Sequence, residues 1–338
     1  MGEILISRIQ SSEHKIGCVL ICNEDPLVQF LKNNNIEYKI LPDFLNRKMS
    51  EIKKMLSDEL YSRQFRNWLD DIAGFDIDLG VTIWGKWVPP GLFRLPKSGF
   101  INYHPAPLPE LRGMEPDTFA ILESRKSIHG TVHFLNEEFD CGDIIRKTRV
   151  IPIRKYDTPL SVLKKLDLIG IETIIKAVND IAMHRHKIIM QDFSCVSQAT
   201  VAMARQESYV RWNSDTLDII ERKYRAFCGQ DIGIRLKGLI EGRVCVILEM
   251  EFYRGVYRGN LGEIVGRYIG EGRFNNGYII NVSGGLVVVL AGEELLDPDH
   301  DCGHIDYILP PRKLLRKTKK NIVLRSLSKA TCKTTCVS

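Results

Sequence analysis

The chain has 338 residues, of which 44% are hydrophobic and 26% are charged, and it carries a formal net charge of +5 at pH 7. At roughly 150 residues per domain this length predicts two domains, and the composition is that of a soluble globular protein rather than a disordered one. The longest uninterrupted apolar run, Leu286–Ala291, is far shorter than the roughly 20 residues of a membrane-spanning helix, and no fixed period indicates a collagen or a coiled coil.

Helical and extended patterns alternate over the first 185 residues. Apolar residues at helical spacing predict helices over 3–12, 26–32, 47–73, 116–124 and 158–183. Short apolar runs predict strands over 14–21, 36–41, 77–84, 99–104, 128–135 and 143–152. This alternation predicts a parallel sheet covered by helices.

The second half of the chain has a different pattern. Residues 186–206 are predicted to be a linker, and one helix is predicted over 216–227. Short strands separated by glycines are then predicted over 232–240, 243–254, 262–268, 276–282 and 285–291. Strands of this length and spacing predict a small β-barrel.

Positive charge is concentrated at the end of the chain. Residues 311–338 contain nine Lys or Arg residues and no Asp or Glu, so subtracting this +9 from the net +5 leaves −4 for residues 1–310. A basic tail on a slightly acidic body is typical of a segment that binds a polyanion such as RNA. The alternative is a solvated terminus that has no partner.

The cysteines and the N-terminus predict a reducing compartment. Nine cysteines are scattered along the chain, and an odd number does not fit the paired framework of a secreted domain. Residues Met1–Ile6 lack the regions of a signal peptide, and Arg8 is the only arginine among the first forty residues, which argues against a mitochondrial presequence. We therefore expect reduced thiols, a cytoplasmic location and no membrane partner.

Two segments carry the strongest chemical signal. In the first, Gly99–Gly113, Asn102 and His104 lie two apart on a predicted strand, so their side chains point to the same face. They lie at the carboxyl end of this strand, where open α/β sheets place ligands, and three of the next five residues are prolines that stiffen the exit loop. The second segment, Asn136–Ile144, is an acidic, glycine-containing loop between two predicted strands and includes Asp140.

These segments resemble the formyltransferases that use 10-formyltetrahydrofolate, a family typified by methionyl-tRNA formyltransferase. The family pattern is Asn-x-His, then Leu-Pro and Arg-Gly, then an Asp-x-Gly-Asp loop. This chain supplies it at Asn102, His104, Leu108-Pro109, Arg112-Gly113 and Asp140–Asp143, with the family's separation of 36 residues from His104 to Asp140. The resemblance extends to Gly85 with Val88-Pro89 and to Trp212–Phe227, and it covers residues 3–292.

The resemblance implies that Asn102, His104 and Asp140 are catalytic. An amine would attack the formyl carbonyl, while Asn102 and His104 donate hydrogen bonds to the oxygen that becomes negative. Asp140 would orient His104 and accept the proton of the amine. Arg112 and Gly113 are implied as acceptor-binding residues, with support of the loop as the alternative role for Arg112. No metal is required.

The resemblance also implies that 10-formyltetrahydrofolate is the co-substrate. The residues implied to bind it are Trp84, Gly85, Lys86, Val88, Phe139 and Gly142. Trp84 and Trp87 offer ring faces on which a pterin can stack, and burial in the core is the alternative for both. The loop that contains them is bulkier than the usual form of the family.

The family fold implies the domain boundaries. Residues 1–185 are expected to form the catalytic domain, an α/β domain with a Rossmann-like parallel sheet and helices on both faces. Residues 186–206 follow as the linker, 207–310 as an OB-like β-barrel and 311–338 as the basic tail. The family opens with a strand, but residues 3–7 have a helical pattern, so we expect the first strand to be missing. A late start of the sequence, a strand role for residues 3–7 and a damaged copy all remain open as explanations.

The implied function is transfer of a formyl group from 10-formyltetrahydrofolate to a primary amine. The acceptor expected first is methionyl-tRNA, with the initiator tRNA bound by the barrel and the basic tail. The alternatives are N-formylation of an amino-sugar nucleotide and a non-catalytic protein of the same fold that binds RNA or a ligand. Glu115 adds negative charge beside the acceptor loop, which favours a cationic amine over a phosphorylated acceptor.

The basic tail gives a direct test of RNA binding. Deleting residues 311–338 removes nine positive charges. We expect this deletion to weaken tRNA affinity and to flatten its dependence on salt, because each phosphate contact releases counterions. Fluorescence anisotropy titrations at several salt concentrations measure both quantities. An unchanged affinity with an unchanged salt slope would discard the role of the tail.

Overall fold

The computed structural model describes residues 1–23, 25–83, 85–227, 234–268, 277–293, 322–324 and 335–337. The chain divides into two compact units. The first unit contains residues 1–117, 126–153 and 162–200, and the second contains residues 118–125, 154–161 and those from 201 onwards. In the part of the chain that is described, no helix has both the length and the apolar character needed to cross a membrane.

The helices are α1 Gly2–Gln10, α2 Leu27–Asn33, α3 Met49–Leu56, α4 Glu59–Ala73, α5 Pro90–Phe93, α6 Pro116–Leu122, α7 Pro159–Ala182, α8 Val201–Glu207 and α9 Leu217–Phe227, with short 3-10 turns at Asp43–Asn46 and Phe193–Cys195. The strands of the first unit are β1 Val19–Ile21, β2 Tyr38–Ile40, β3 Gly80–Thr82, β4 Phe100–His104, β5 Ser127–Ile128, β6 Thr131–Phe134, β7 Ile144–Lys147 and β8 Ile151–Pro152. The strands of the second unit are β9 Tyr209–Val210, β10 Lys237–Ile240, β11 Arg243–Arg254, β12 Ile264–Arg267, β13 Tyr278–Val282 and β14 Gly285–Glu293, and β15 Ile322–Leu324 pairs with β16 Thr335–Val337.

The first unit has the expected α/β character, but its sheet is mixed. β1 pairs with β2 in parallel, and the strand order of the four-stranded sheet is β3-β4-β6-β7. Within that sheet only β3 and β4 are parallel, whereas β6 is antiparallel to both β4 and β7. The wholly parallel sheet predicted from the sequence is therefore wrong. One reason is that β6 and β7 are joined by the loop 135–143, which lacks the crossover helix that a parallel pair usually has.

Helices cover both faces of the four-stranded sheet, as expected. Ile101 and Tyr103 of β4 lie in one buried cluster with residues of α1 and α7. Phe100 points to the opposite face and packs against a second cluster formed by residues of α3, α4 and α5. Because side chains alternate along a strand, Asn102 and His104 lie on the same face as Phe100.

The N-terminal segment forms a helix. Residues 2–10 form α1, so residues 3–7 do not act as a strand. Among the described residues, β1 pairs only with β2 and β3 pairs only with β4, so no backbone hydrogen bonds join the two sheets. Among the described residues, β1 and β3 therefore each have one unpaired edge. The absence of a first strand between them stays a prediction.

The predicted linker is not a free connection. Residues up to 200 belong to the first unit, and α8 begins the second unit at Val201. Backbone bridges tie Ile189 to Ile144 and Gln198 to Arg112. Residues 189–199 are thus a packed part of the first unit.

The second unit is built on a six-stranded sheet in the order β12-β13-β14-β11-β10-β9. Its strands are antiparallel except for the β9–β10 pair. The long strand β11 pairs with both β10 and β14, and an irregularity between Ile247 and Glu249 interrupts its register with β14. Closure of this sheet into the OB-like barrel stays a prediction, and most of the basic tail lies outside the described residues.

Close packing of α7 on β4 can be tested at Gly170. A Cβ added at Gly170 would lie 2.4 Å from Cζ of Tyr103, a buried ring whose hydroxyl donates to the Leu166 carbonyl at 2.9 Å. Replacement of a helical glycine by alanine usually stabilises by about 0.5–1 kcal/mol. Here we expect Gly170→Ala to lower the free energy of unfolding by about 1–3 kcal/mol, because the ring must move. Urea denaturation measures this change.

Gly2→Ala in α1 is the matched control for Gly170→Ala. A Cβ at Gly2 meets only the Leu27 methyl groups, at 3.6 and 3.8 Å. A stability change of the same sign and size in both variants would show that the contact with Tyr103 does not prevent a larger residue at position 170.

Candidate active site

β4 places Asn102 and His104 at its carboxyl end. Both side chains are buried, and both residues pair with β6 across the sheet. Asn102 lies opposite Thr82 of β3 on one side and opposite His133 of β6 on the other. The period of the strand thus puts the amide and the imidazole on one face, as predicted.

The loop between β6 and β7 brings Asp140 to this face. Asp140 is buried and has a φ of 54°, in the left-handed region that non-glycine residues seldom adopt. Gly142 lies so close to β6 that an added Cβ would be 1.8 Å from the Phe134 carbonyl oxygen. Only glycine fits at position 142, and the tight turn directs Asp140 back towards β4.

The carboxylate of Asp140 lies between two imidazoles. Its Oδ2 is 3.7 Å from Nδ1 of His104, and its Oδ1 is 3.6 Å from Nε2 of His133. The backbone N–H of Gly113 donates to Oδ2 at 3.0 Å. The structure therefore brings His104, Asp140 and Gly113 together.

The hydrogen bond of the His104 ring shows which of its nitrogens carries hydrogen. Nε2 donates to the Leu111 carbonyl at 2.9 Å, and because a carbonyl only accepts, Nε2 must carry hydrogen. Nδ1 is then the atom that faces Asp140.

His133 is a part of the site that the sequence analysis missed. Its ring is almost completely buried, and Nδ1 donates to the Phe134 carbonyl at 2.8 Å. Nε2 lies 3.2 Å from Nδ2 of Asn102, while Oδ1 of Asn102 is buried and has no hydrogen-bond partner. The available signal was its position on a strand predicted next to the Asp140 loop, but nothing in the sequence indicated that this strand lies beside β4.

Electrostatics keep Asp140 ionised. Burial by itself raises the pKa of Asp140, but the charge of His104, the hydrogen bond and charge of His133 and the Gly113 N–H together outweigh it. They lower the pKa from 3.8 to about 2. Asp140 is therefore a carboxylate throughout the physiological pH range.

The acceptor-side residues are held inside the protein. Arg112 is 9% exposed, its Nη2 donates to Oε1 of Gln191 at 2.6 Å, and its guanidinium lies 5.0 Å from the Phe193 ring centroid. This arrangement matches the loop-supporting role left open for Arg112. Glu115 is also buried, and its preference for a cationic amine stays a prediction.

The residues implied to bind folate lie in different surroundings. Val88 is buried in the apolar cluster that also contains Trp87, and Phe139 packs against the same cluster. Trp87 donates from Nε1 to the Glu137 carbonyl at 3.1 Å, in line with the core role left open for it. A Cβ at Gly85 would lie 3.6 Å from Met114, so this glycine is beside the acceptor loop.

Trp84 lies outside the described residues. Burial raises the pKa of the Cys22 thiol, and the nearby charge of Lys86 acts against this shift. A cavity of about 370 Å³ lies beside Trp87 and Pro90, and Lys53 and Glu137 also line it. None of the three predicted catalytic residues lines this cavity. Among the described residues, no group of three or more His, Cys, Asp or Glu side chains is arranged to hold a metal ion.

The lowered pKa of Asp140 predicts a pH-dependent stability. A carboxyl group with a pKa lowered from 3.8 to about 2 stabilises the fold above pH 3.8, and this contribution is lost as the pH falls through about 2. It amounts to ~2 kcal/mol. We expect the wild type to lose ~2 kcal/mol more than Asp140→Asn between about pH 5 and pH 2 in urea unfolding. Equal losses in both proteins would contradict the electrostatic description.

Sequence comparison assigns this region to a known family. Residues 22–178 match the family model described as formyl transferase. A methionyl-tRNA formyltransferase from Azobacteroides pseudotrichonymphae is 29% identical over 157 residues, which are 45% of this chain and 48% of that protein. One from Listeria welshimeri is 31% identical over 145 residues, which are 43% of this chain and 46% of that protein. The chain spans about half the length of these curated relatives.

Structural comparison shows the same fold. An N-formyltransferase from Helicobacter canadensis, solved with folinic acid and dTDP-3-aminofucose, superposes with a TM-score of 0.54. The match covers 86% of this chain and 95% of that chain at 16% identity. Residues 22–178 of this chain thus match the formyl transferase family, in line with the resemblance.

Proposed function

We propose that the protein transfers a formyl group from 10-formyltetrahydrofolate to a primary amine. The convergence of Asn102, His104 and Asp140 at the carboxyl end of β4, inside a formyl transferase domain, carries this proposal. The folinic acid in the Helicobacter canadensis neighbour supports a folate co-substrate. The amide atom of Asn102 that points away from His133 is buried and has no hydrogen-bond partner among the described residues, so a substrate can bind it.

His104 supplies one donor for the oxygen that becomes negative. Its Nε2–H is bound to the Leu111 carbonyl, so the donor is a proton on Nδ1. Nδ1 is 3.7 Å from Asp140, which is too long for a strong hydrogen bond and leaves this proton available to a substrate oxygen placed beside it. A donor of this kind contributes about 3–4 kcal/mol to the stability of the transition state.

Asn102 supplies the second donor, and His133 decides which way its amide points. The nitrogen and oxygen of an amide exchange places by a half turn. If the NH2 group faces the substrate, Oδ1 faces Nε2 of His133 and needs a proton there, since Nδ1 already donates to the Phe134 carbonyl. Oδ1 of Asp140 also lies 3.6 Å from this Nε2. His133 is thus a positioning residue for Asn102.

Asp140 accepts the proton that the amine must lose. The neutral amine attacks the formyl carbon, a carbon–nitrogen bond forms, and the attacking nitrogen becomes positive and strongly acidic. Asp140 is ionised at neutral pH because its pKa is about 2, so it takes this proton directly or through water. The proton then passes from Asp140, directly or through water, to the folate nitrogen, and the bond from the formyl carbon to this nitrogen breaks as the carbonyl reforms.

Methionyl-tRNA is the acceptor that we propose first. The relatives from Azobacteroides and Listeria, both methionyl-tRNA formyltransferases, and the nine positive charges of residues 311–338 support this choice. An amino-sugar nucleotide is the second candidate. It is favoured by the Helicobacter canadensis neighbour with dTDP-3-aminofucose, which matches this chain over most of both lengths.

Formyl transfer is tested by supplying 10-formyltetrahydrofolate with methionyl-tRNA or with dTDP-3-aminofucose, and by following the release of tetrahydrofolate. We expect Asn102→Ala and His104→Ala each to lower kcat by about 10²–10³, because each removes one donor to the developing charge. The acceptor that supports faster release identifies the substrate class.

Two exposed residues provide matched controls for these substitutions. Asn33 on α2 and His184 after α7 are exposed, so Asn33→Ala and His184→Ala should leave the rate unchanged. Rates in Asn102→Ala and His104→Ala that equal those of the controls would remove both residues from the mechanism. If neither methionyl-tRNA nor dTDP-3-aminofucose leads to the release of tetrahydrofolate, the proposed function is wrong.

A further inference from the structure

Residues 189–199 lie outside both segments of the catalytic pattern, yet they bind the backbone of both. Ile189 exchanges two backbone hydrogen bonds of 2.9 Å with Ile144, directly after the Asp140 loop. On the acceptor side, the Ser197 carbonyl accepts from the Arg112 N–H at 2.9 Å, and the Ala199 N–H donates to the Arg112 carbonyl at 2.7 Å. This segment therefore connects the two loops of the site.

Gln191 is the side chain at the centre of this connection. It is buried, and its Nε2 donates to the carbonyls of Asp140 at 2.9 Å and Gly142 at 2.7 Å. Its Oε1 accepts from Nη2 of Arg112 at 2.6 Å. Both hydrogens and the oxygen of one amide are thus used to tie the Asp140 loop to the acceptor loop.

Both loops need such support, because each turns through a left-handed residue. Asp140 has a φ of 54° and Leu111 has a φ of 56°. A non-glycine residue in this region costs roughly 1–2 kcal/mol and persists only where its surroundings fix it. Gln191 donates to the carbonyl of Asp140 itself, and the N–H of Leu111 donates to the hydroxyl of Ser197 at 2.9 Å.

We propose that Gln191 is a positioning residue that fixes Asp140 relative to His104 and the acceptor loop. This inference rests on the proposed formyl transfer. Arg112 contributes by holding the amide oxygen of Gln191, so that both amide hydrogens point towards the Asp140 loop. Without these bonds Asp140 is free to leave its strained conformation, and its carboxylate moves away from Nδ1 of His104.

Two substitutions separate the contacts of Gln191. Gln191→Met keeps the length of the side chain but removes all three hydrogen bonds. Gln191→Glu keeps the contact with Arg112, but it loses both donors and places a carboxylate against two carbonyl oxygens. We expect both variants to lower kcat by about 10- to 100-fold, since a displacement of about 1 Å has this effect on a catalytic group. KM for the folate and the amine should change much less.

Cys141 offers a measurement that does not depend on activity. It lies between the two carbonyls that Gln191 binds, and its partly buried Sγ donates to the Phe139 carbonyl at 3.1 Å. Loosening of the loop is expected to speed its reaction with iodoacetamide, followed by peptide mass spectrometry. Cys195, which is exposed, is the internal reference. Gln198→Met, at an exposed glutamine in the same segment, is the matched control for both measurements.

The outcomes distinguish the inference from the proposed function. A lower kcat with a folded protein, as shown by circular dichroism, and faster labelling of Cys141 in both Gln191 variants would support it. An active wild type with unchanged kcat in both variants, or full activity in Gln191→Glu, would overturn it. If the wild type transfers no formyl group, the proposed function fails, and unchanged labelling of Cys141 in Gln191→Met then overturns the structural role as well.

Discussion

The buried carboxylate of Asp140 is the constraint on which the site depends. A buried charge is unfavourable unless opposite charges and hydrogen-bond donors surround it, and here the partners are His104, His133 and the backbone of Gly113. They come from β4, β6 and the acceptor loop, so three separate segments must be in register before the charge is compensated. The lowered pKa shows that this compensation exceeds the effect of burial. The same charge therefore stabilises the arrangement of groups that the proposed reaction uses.

The mixed sheet explains how two imidazoles reach one carboxylate. Because β6 is antiparallel to β4, His133 lies directly across from Asn102, and the loop that follows β6 ends beside both strands. Directly opposed residues of an antiparallel pair have side chains on the same face and about 4.5–5.5 Å apart at Cβ. Gly142 then allows the loop to pass against the Phe134 carbonyl, where any other residue would collide. The departure from a parallel sheet is thus the feature that completes the site.

The sequence predicted what depends on local period and spacing, and it missed what depends on pairing between distant segments. The period of two along β4 was sufficient to place Asn102 and His104 on one face, and most helices and strands lie where the patterns predicted them. The approach of Asp140 followed only from the family resemblance. His133 was missed because nothing local in the sequence shows that its strand lies antiparallel beside β4, and Gln191 was missed because residues 186–206 were predicted to be a linker. The long helix predicted over 47–73 is divided into α3 and α4, with Asp58 accepting from the N–H of Leu60 at the second start.

The position of Asp140 between two rings connects one carboxylate with both proposed donors. Its Oδ2 lies 3.7 Å from Nδ1 of His104, and its Oδ1 lies 3.6 Å from Nε2 of His133, the ring that contacts the amide of Asn102. In the proposed reaction the same carboxylate accepts the proton of the attacking amine and returns it to the folate nitrogen as the carbonyl reforms. A displacement of Asp140 therefore disturbs the attack of the amine and the departure of the folate nitrogen together.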